Sequence, residues 1–406
     1  MFSKMQKQQV KEIFKRKPDV DNNVELYSHD FLSNSASLEN RKSYIFHGDE
    51  LFLEGYPYSI ELTEDDFYSG SEPSGFEFDK CRFFEAHEGT LLRVFNIDGK
   101  WYTSTNRRLN AFNSNWIYKK STFGIDFAAA VKENIRIVSD DEIFEEEENL
   151  TLEQQKDNAR KYLDEIYERN LDKDKKYMFL LKLSKEEKFV CKSVPFSFFN
   201  VGVFDKDNKL DLTEPVVLDG YNVPTPAEPK FESLDHLFYE LRNVDPEYIQ
   251  GFIAIQENTK HFKILNGFYK RLSELRGVTP SLRFRYLELL HEKANAQSDQ
   301  EYHNCEIRID EFCRRFDFVP IAVENQIWNI VNELHAKYYT IYINRERCDV
   351  APKMTKMLNY IHYEYINSGY DLITSKPRIR YLVEYTNPSN LNQLIAEHEK
   401  ACKRVE

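Results

Sequence analysis

The chain has 406 residues with 55 basic and 68 acidic side chains, which gives a formal charge of −13 at pH 7. Hydrophobic residues make up 41% and aromatic residues 14%, which excludes a wholly disordered chain. Only 13 residues are glycine, and neither glycine-rich phosphate motif, GxGxxG or GxxxxGK[ST], occurs. The absence of long apolar runs predicts no membrane span. A charged N-terminus and six widely separated cysteines predict a cytoplasmic protein with free thiols and no secretory signal.

Residues 1–40 are polar, and we expect a short helix and an irregular arm. Their basic cluster is Lys11, Lys15, Arg16 and Lys17. Residues 44–60 contain short apolar runs interrupted by glycine and proline, which predicts strands and turns. Two β-rich runs, LLRVFNI (91–97) and KWYTST (100–105), flank Asp98-Gly99. Because both turn residues tolerate positive φ, this pattern predicts a β-hairpin.

The next segment is predicted to alternate between helices and strands. An acidic run at residues 140–148 indicates a solvated loop, with an interaction tail as the alternative. Thr151 and Gln154 predict a capping box at the start of a helix, and Ser233 predicts the cap of another. Strands are expected at 177–183, 188–194 and 215–221, followed by a strand pair at 250–256 and 261–266.

After about Gly277 the pattern becomes helical, and Thr279-Pro280 predicts a helix start. A stripe at helical spacing predicts a core helix: Ile327, Val331, Leu334, Tyr338 and Ile341. Further helices are expected at about 352–367 and 388–402. The sequence therefore predicts an N-terminal arm (1–43), a β-rich domain (44–277) and a helical C-terminal domain (278–406).

Residues 89–125 are locally basic, with six basic side chains and one acidic side chain. The basic residues are Arg93, Lys100, Arg107, Arg108, Lys119 and Lys120. Guanidinium groups bind phosphate, and aromatic residues such as Trp101 and Trp116 stack on bases, so this composition favours a nucleotide or single-strand binder. An ordinary hairpin with a solvated basic face is the alternative. The negative net charge predicts that any nucleic-acid contact is local.

Four segments resemble, in order, the motifs of the covalent nucleotidyltransferases, which include RNA ligases, DNA ligases and mRNA capping guanylyltransferases. EAHEGTLLR (85–93) resembles the first motif, YMFLLKL (177–183) the third, QGFI (250–253) the fourth and HFK (261–263) the fifth. Residues 88–116 are also similar to ligase-like proteins of large DNA viruses. The resemblance implies an α+β fold: an antiparallel β-rich nucleotidyltransferase body of the ATP-grasp-like ligase type, with an all-helical C-terminal domain.

In that superfamily a lysine attacks the α-phosphate of ATP or GTP, carboxylates bind metal and cations surround the triphosphate. This chain has Ala86 at the lysine position, Leu180-Leu181 in place of the third-motif acid and Gln250 in place of the fourth-motif glutamate. His261 replaces one lysine of the fifth motif, whereas Lys263 is retained. The resemblance therefore implies a pseudoenzyme, which keeps the fold without its reaction.

Other residues near the first motif leave alternatives open. His87 and Cys81 are candidate nucleophiles, since imidazole forms phosphoramidates and a thiolate is nucleophilic. On a strand, however, His87 points away from the direction of Ala86. Glu85 and Glu88 are either metal ligands or a solvated or salt-bridged pair. One further group fits no common zinc spacing and predicts no metal site: His303, Cys305 and Cys313.

The sequence therefore predicts a ligase-like or capping-like protein that binds a nucleotide or an RNA end without covalent transfer. The implied ligands are ATP or GTP with Mg²⁺, and no catalytic residue is predicted. The predicted nucleotide- or phosphate-binding residues are Glu88, Gly89, Arg93, Arg107, Arg108, Gln250 and Lys263. Two alternatives stay open: an active nucleotidyltransferase with a non-standard nucleophile, and a structural or virion assembly protein. The viral resemblance implies infected host cytoplasm or a virus particle, with other viral proteins as partners.

Overall fold

The computed structural model describes residues 7–14, 17–28, 41–57, 59–68, 73, 75–115, 121–139, 150–182, 190–191, 197–258, 260–279, 281–367 and 375–402. The chain divides into two compact units, Met1–Ser273 and Glu274–Glu406. The domain boundary predicted from the sequence, after residue 277, lies four residues beyond the observed division after Ser273. Several sequence features lie outside the described residues: the acidic run at 140–148, Lys15, Arg16, Trp116, Lys119 and Lys120.

The first unit begins with α1 (Lys7–Ile13) and a four-stranded antiparallel sheet, here called the N-terminal sheet. Its strands, in spatial order, are β1 (Asp19–Asp21), β2 (Val24–Ser28), β3 (Ser43–His47) and β4 (Glu50–Glu54). The expected irregular arm is therefore replaced by strands at residues 19–28. The reason is burial: Val24 and Leu26 are almost fully buried and pack with Phe95 and Met178.

A five-stranded sheet, here called the large sheet, has the order β11-β10-β9-β7-β8. Its strands are β7 (Thr90–Ile97), β8 (Lys100–Thr105), β9 (Lys176–Lys182), β10 (Ser197–Phe204) and β11 (Leu210–Asp211). Two strands that precede them in the chain, β5 (Ser59–Leu62) and β6 (Cys81–Ala86), belong to another sheet. The predicted hairpin is confirmed, because Ile97 pairs with Lys100 across Asp98 (φ 52°) and Gly99 (φ 80°). Positive φ at both turn residues matches the right-handed twist of the strands.

Two helices, α3 (Phe123–Ser139) and α4 (Leu152–Asn170), cover one face of the large sheet. The predicted Thr151–Gln154 capping box is present at the start of α4. The strand predicted at 188–194 is not found in its described residues, since Val190 and Cys191 form a bend. The strand predicted at 215–221 is reduced to the small hairpin β12 (Val217–Leu218) and β13 (Tyr221–Asn222).

A four-stranded sheet carries the first, fourth and fifth motifs and is here called the motif sheet. Its strands, in spatial order, are β5 (Ser59–Leu62), β15 (Lys260–Leu265), β14 (Gly251–Gln256) and β6 (Cys81–Ala86). The predicted strand pair is confirmed as the antiparallel pair β14–β15. The edge strand β5 runs parallel to β15, which differs from the expected antiparallel body. One face packs against α2 (Glu64–Tyr68) and α5 (Leu234–Asn243), and Ser233 caps α5 as predicted.

The second unit is helical, as expected. Helix α6 (Gly267–Arg276) spans the division, and the helices that follow are α7 (Leu282–Ala294), α8 (Asp299–Arg315), α9 (Ile321–Tyr338), α10 (Pro352–Asn367), α11 (Lys376–Tyr385) and α12 (Pro388–Cys402). Helix α7 begins after its cap Ser281 rather than at Thr279-Pro280, and Pro280 lies outside the described residues. The predicted stripe of α9 is confirmed as core for Ile327, Val331, Leu334 and Tyr338. None of the described helices has the length and apolar character needed to cross a membrane.

Candidate functional site

Ala86, which stands at the nucleophile position, is the last residue of β6 and is fully buried. It pairs with Gly251 of β14, which in turn pairs with Leu265 of β15. The backbone nitrogen of Gln250 donates a hydrogen bond to the carbonyl oxygen of Ala86 at 2.7 Å. The register thus brings the first, fourth and fifth motifs side by side.

Alternation along the paired strands decides which residues share a face. Ala86 and Phe84 of β6 lie in the same rows as Gly251 and Ile253 of β14, and Ile253 pairs with Lys263 of β15. The opposite face, with residues such as Phe252 and Phe262, packs against α5. Ala86 and Lys263 therefore occupy the same face of the motif sheet, two strands apart.

Glu88 lies in a buried polar network at the end of that face. Its Oε1 accepts a hydrogen bond from the Tyr269 hydroxyl at 2.5 Å, and its Oε2 accepts one from the backbone nitrogen of Cys191 at 2.6 Å. Gln250 Nε2 donates to the same Tyr269 hydroxyl at 2.8 Å. Burial and the Glu88 carboxylate raise the pKa of Tyr269 above its ordinary value, so the phenol stays protonated.

The network leaves one buried polar atom without a partner. Gln250 is 7% exposed, and its Oε1 has no hydrogen-bond partner among the described residues. Burial lowers the pKa of nearby Lys182, an effect that Cys191, Glu88 and Glu85 partly oppose. Tyr269, Cys191 and Lys182 were not predicted from the sequence. Tyr269 and Cys191 lie outside every motif and reach Glu88 only through the tertiary fold.

Gly89 lies where the first motif approaches the third. A Cβ atom at Gly89 would lie 2.7 Å from the carbonyl oxygen of Leu181 and 2.8 Å from Cγ of Leu180. Real Cβ atoms do not approach backbone oxygens so closely, so the chain needs glycine here to bring the two motifs together. The role that the structure gives Gly89 is close packing of the backbone next to β9.

Arg93, predicted to bind phosphate, is fully buried on the large sheet. Its guanidinium donates hydrogen bonds to Ser104 Oγ at 3.1 Å, to Ser43 Oγ at 2.7 Å and to the carbonyl oxygen of Thr105. Burial lowers the pKa of Arg93 below its ordinary value. The side chain therefore ties β7 and β8 to β3, and in this structure it is not accessible to a ligand.

The remaining basic residues of the hairpin are largely matched by carboxylates of β1. Arg108 is exposed and forms an ion pair with Asp19 at 3.2 Å, and Lys100 forms one with Asp21. The backbone nitrogens of Arg107 and Arg108 both donate to Thr105 Oγ1, at 3.3 and 3.1 Å. The local positive charge read from the sequence is thus partly neutralised by acidic residues far away in the chain.

A second basic group lies on the Ala86 side of the motif sheet and is here called the basic cluster: Lys42, Lys263 and His261. Lys263 Nζ is 3.1 Å from Oε1 of Glu61. Burial, and next the Lys263 charge, lower the pKa of Lys42 to about 8, while Glu61 opposes the shift. The two ammonium groups and the Glu61 carboxylate are therefore close enough to influence one another electrostatically.

His261 completes the basic cluster as a neutral side chain. It is 7% exposed, and burial, with Lys42 and Arg41 nearby, lowers its pKa to about 3. Its ring lies 5.3 Å from that of Tyr56, and Nε2 has no hydrogen-bond partner among the described residues. This nitrogen is buried, so in this structure it is not accessible to a ligand.

The alternative nucleophiles are not favourably placed. His87 stacks on Phe199 with ring centroids 4.5 Å apart, and its Nε2 is 3.2 Å from Oε2 of Glu85. Burial raises the pKa of Cys81 to about 11, which disfavours the thiolate. Within the described residues, no group of three or more His, Cys, Asp or Glu side chains is arranged to hold a metal ion.

No family model matches the chain. Its sequence relatives include the immediate-early protein ICP-46 of Frog virus 3 (isolate Goorha), 23% identical over 295 residues, which cover 71% of this chain and 66% of that protein. The ICP-46 homolog of Invertebrate iridescent virus 6 is 25% identical over 394 residues, which cover 92% of this chain and 80% of that protein. The chain is similar to viral ICP-46 proteins. The match spans slightly less than two thirds of the length of the Frog virus 3 relative.

Solved structures of ATP-dependent ligases are also similar to this chain. Two forms of an archaeal ATP-dependent RNA ligase align at 11% identity with TM-scores of 0.38 and 0.39. They cover 75% and 81% of this chain, and 75% and 79% of the ligase chains. A putative ATP-dependent DNA ligase from Aquifex aeolicus aligns at 12% identity, with a TM-score of 0.34 and coverage of 78% and 74%.

Proposed function

We propose that this protein binds the phosphate of a nucleotide or of an RNA end without covalent nucleotidyl transfer. The observation that supports the proposal is the basic cluster, which lies on the same face of the motif sheet as Ala86. Lys42 and Lys263 lie close enough for the Lys263 charge to lower the pKa of Lys42, so a phosphate bound here would relieve the repulsion between the two ammonium groups.

The proposed absence of covalent transfer follows from the chemistry of the residues present. A methyl group at Ala86 cannot attack phosphorus, and the position expected to be acidic in the third motif is Leu180-Leu181. Of the two acids next to Ala86, Glu88 already accepts hydrogen bonds on both oxygens from Tyr269 and Cys191, and Glu85 lies 3.2 Å from Nε2 of His87. A carboxylate whose two oxygens already accept hydrogen bonds does not fit a protein-bound Mg²⁺. The proposal therefore leaves any Mg²⁺ on the phosphates of ATP or GTP.

The direct test is binding of fluorescent ATP and GTP analogues to the full chain, with and without Mg²⁺. The double variant Lys42→Ala/Lys263→Ala should bind at least about tenfold more weakly, since each lost charge-assisted contact costs about 1–3 kcal/mol. Lys260→Ala is the matched control, because Lys260 is an exposed lysine of the same strand on the opposite face. Equal losses in both variants, or no binding by the parent, would contradict the proposal and favour a structural role.

The predicted hairpin residues provide a further arm of the same experiment. If Arg107→Ala/Arg108→Ala weakens binding and Lys42→Ala/Lys263→Ala does not, the phosphate site lies at the hairpin rather than at the basic cluster. Both losses together would indicate that the ligand extends across both places.

A second candidate function is supported by the lowered pKa of Lys42, about 8, which leaves a fraction of the amine uncharged near neutral pH. In that case the Lys42 amine would attack the α-phosphorus of ATP or GTP. A P–N bond would form, the bond to pyrophosphate would break, and the amine proton would pass to solvent. Incubation with α-labelled nucleotide would then give an acid-sensitive labelled protein, and Lys42→Arg would abolish the label. Absence of label in the parent would exclude this candidate.

A further inference from the structure

A compact group of aromatic side chains lies at the end of α9 in the helical unit. Beyond Tyr338 the helix continues as one π-helical turn, Tyr339–Ile343, closed by a hydrogen bond from the nitrogen of Asn344 to the oxygen of Tyr339 at 2.8 Å. Such turns are uncommon and often occur at functional sites. Tyr342 stacks on His362 of α10 with centroids 4.0 Å apart and an interplanar angle of 17°.

Hydrogen bonds fix this group in place. The Tyr342 hydroxyl donates to Asn359 Oδ1 at 2.7 Å, and the Tyr338 hydroxyl lies 3.2 Å from His362 Nδ1. By contrast, Tyr339 is 38% exposed, and its ring lies 5.0 Å from that of His335. Tyr338, Tyr342 and His362 are therefore held together, and Tyr339, the next residue after Tyr338 in the chain, is open to solvent.

Three exposed cations lie on the segments that carry the aromatic group. The loop after the π-helical turn carries Arg345 and Arg347, and it folds back so that the nitrogen of Glu346 donates to the oxygen of Thr340 at 2.9 Å. Lys356 of α10 lies one turn before Asn359, the residue that holds Tyr342. Arg345, Arg347 and Lys356 are all exposed, and none forms an ion pair with a described residue.

The charge of this segment contrasts with that of the chain. Residues 337–356 contain five basic and two acidic side chains. The acidic excess of the protein lies almost entirely in the first unit: residues 1–273 have 49 acidic and 37 basic side chains, whereas residues 274–406 have 19 and 18. The helical unit is thus nearly neutral overall, and within residues 337–356 one of the five basic side chains, Lys337, forms an ion pair with Glu333 at 2.8 Å.

We infer that this surface, formed by Tyr339, Tyr342, Arg345, Arg347 and Lys356, binds single-stranded nucleic acid. Unpaired cations bind the phosphates of the backbone, and an accessible tyrosine ring offers a stacking face to an unpaired base. In a duplex the bases already stack on each other, so the exposed ring would gain nothing there. The site is separate from the basic cluster and goes beyond the proposed nucleotide binding, on which it does not depend.

Fluorescence anisotropy of the full chain with labelled 12-residue oligouridine and oligothymidine, and with a 12-base-pair duplex, tests the inference. Both single strands should bind more tightly than the duplex, with affinity that falls as salt rises. A preference for oligouridine would identify RNA, and a preference for oligothymidine would identify DNA. Arg345→Ala/Arg347→Ala and Tyr339→Ala should each weaken binding by about tenfold. The matched control is Arg314→Ala/Arg315→Ala, which removes two exposed arginines of the same unit and should change affinity by less than about twofold.

Several results would overturn the inference: no binding by the parent, equal loss in the control variant, or duplex binding as tight as that of the single strands. A surface for a protein partner would give the first of these results. Binding of the fluorescent ATP analogue should be unchanged in Arg345→Ala/Arg347→Ala. This readout separates the two sites. If the parent protein binds the oligonucleotide but not the ATP analogue, only the proposal for the basic cluster is contradicted. Circular dichroism of each variant confirms that it is folded.

Discussion

The hydroxyl of Tyr269 donates a hydrogen bond to Glu88 Oε1 at 2.5 Å, across a separation of 181 residues in the chain. Glu88 follows the strand of the first motif by two residues, and Tyr269 lies on the helix that follows the fifth motif. Glu88, one of the two acids next to the nucleophile position, is therefore part of a buried hydrogen-bond network. This arrangement gives the carboxylate a structural role at a place where the related chemistry would need it free.

Tyr269→Phe should destabilise the first unit by about 1–3 kcal/mol, because Glu88 Oε1 and Gln250 Nε2 would both lose a buried partner. Urea denaturation followed by tryptophan fluorescence measures the change. Tyr248→Phe is the matched control, since Tyr248 is 61% exposed. Equal stability of the two variants would show that the network contributes nothing to folding.

Gly89→Ala should lower the thermal stability, with a cost of about 1–3 kcal/mol. The new methyl group would meet the oxygen of Leu181 at 2.7 Å, and a backbone atom within a paired strand cannot move away freely. Gly267→Ala, at the start of α6, has no neighbouring atom within 4 Å and should be neutral. Differential scanning calorimetry compares the two variants, and a neutral Gly89→Ala would contradict the close approach of β7 and β9.

Arg93→Lys should lower the free energy of unfolding by about 2–4 kcal/mol, because a single ammonium group cannot reach Ser43, Ser104 and Thr105 together. Arg108→Lys should have little effect, since its ion pair with Asp19 is exposed. In the folded variant, nucleotide binding should be unaffected. A stable Arg93→Lys variant that has lost nucleotide binding would instead make Arg93 a ligand residue.

Lys42→Met should stabilise the protein at neutral pH, and the gain should disappear as the pH rises. The ordinary lysine pKa of 10.5 falls to about 8 in the folded chain, so between these values the unfolded chain binds more protons than the folded chain. Stability of the parent therefore rises with pH through this window, and the penalty for a charged Lys42 is fully present below pH 8. Thermal unfolding of parent and variant at pH 7, 8, 9 and 10 measures the difference. A difference that does not change with pH would contradict the lowered pKa, and Lys260→Met controls for loss of a lysine.

Local sequence patterns predicted the elements whose cause is local. Asp98-Gly99 specifies a hairpin because two neighbouring residues accept positive φ, and the Thr151–Gln154 box specifies the start of α4 because cap and partner are three residues apart. The α9 stripe was predictable because helical periodicity places Ile327, Val331 and Leu334 on one side. Val24 and Leu26 were missed, since the strand that contains them is short and its burial depends on β7 and β9.

By itself, the sequence determined the chemistry that is absent from the nucleotidyltransferase motifs: alanine at position 86, leucines at 180–181 and glutamine at 250. Only the tertiary structure decided what the remaining polar residues do. Arg93 and Arg108 have the same side chain fifteen positions apart, yet one is buried among hydroxyl and carbonyl groups and the other is exposed beside Asp19. Lys42 comes close to Lys263 only because residues far apart in the chain converge at the motif sheet. The free energy of a charge depends on its surroundings, and those surroundings are set by strand register and packing over long chain separations.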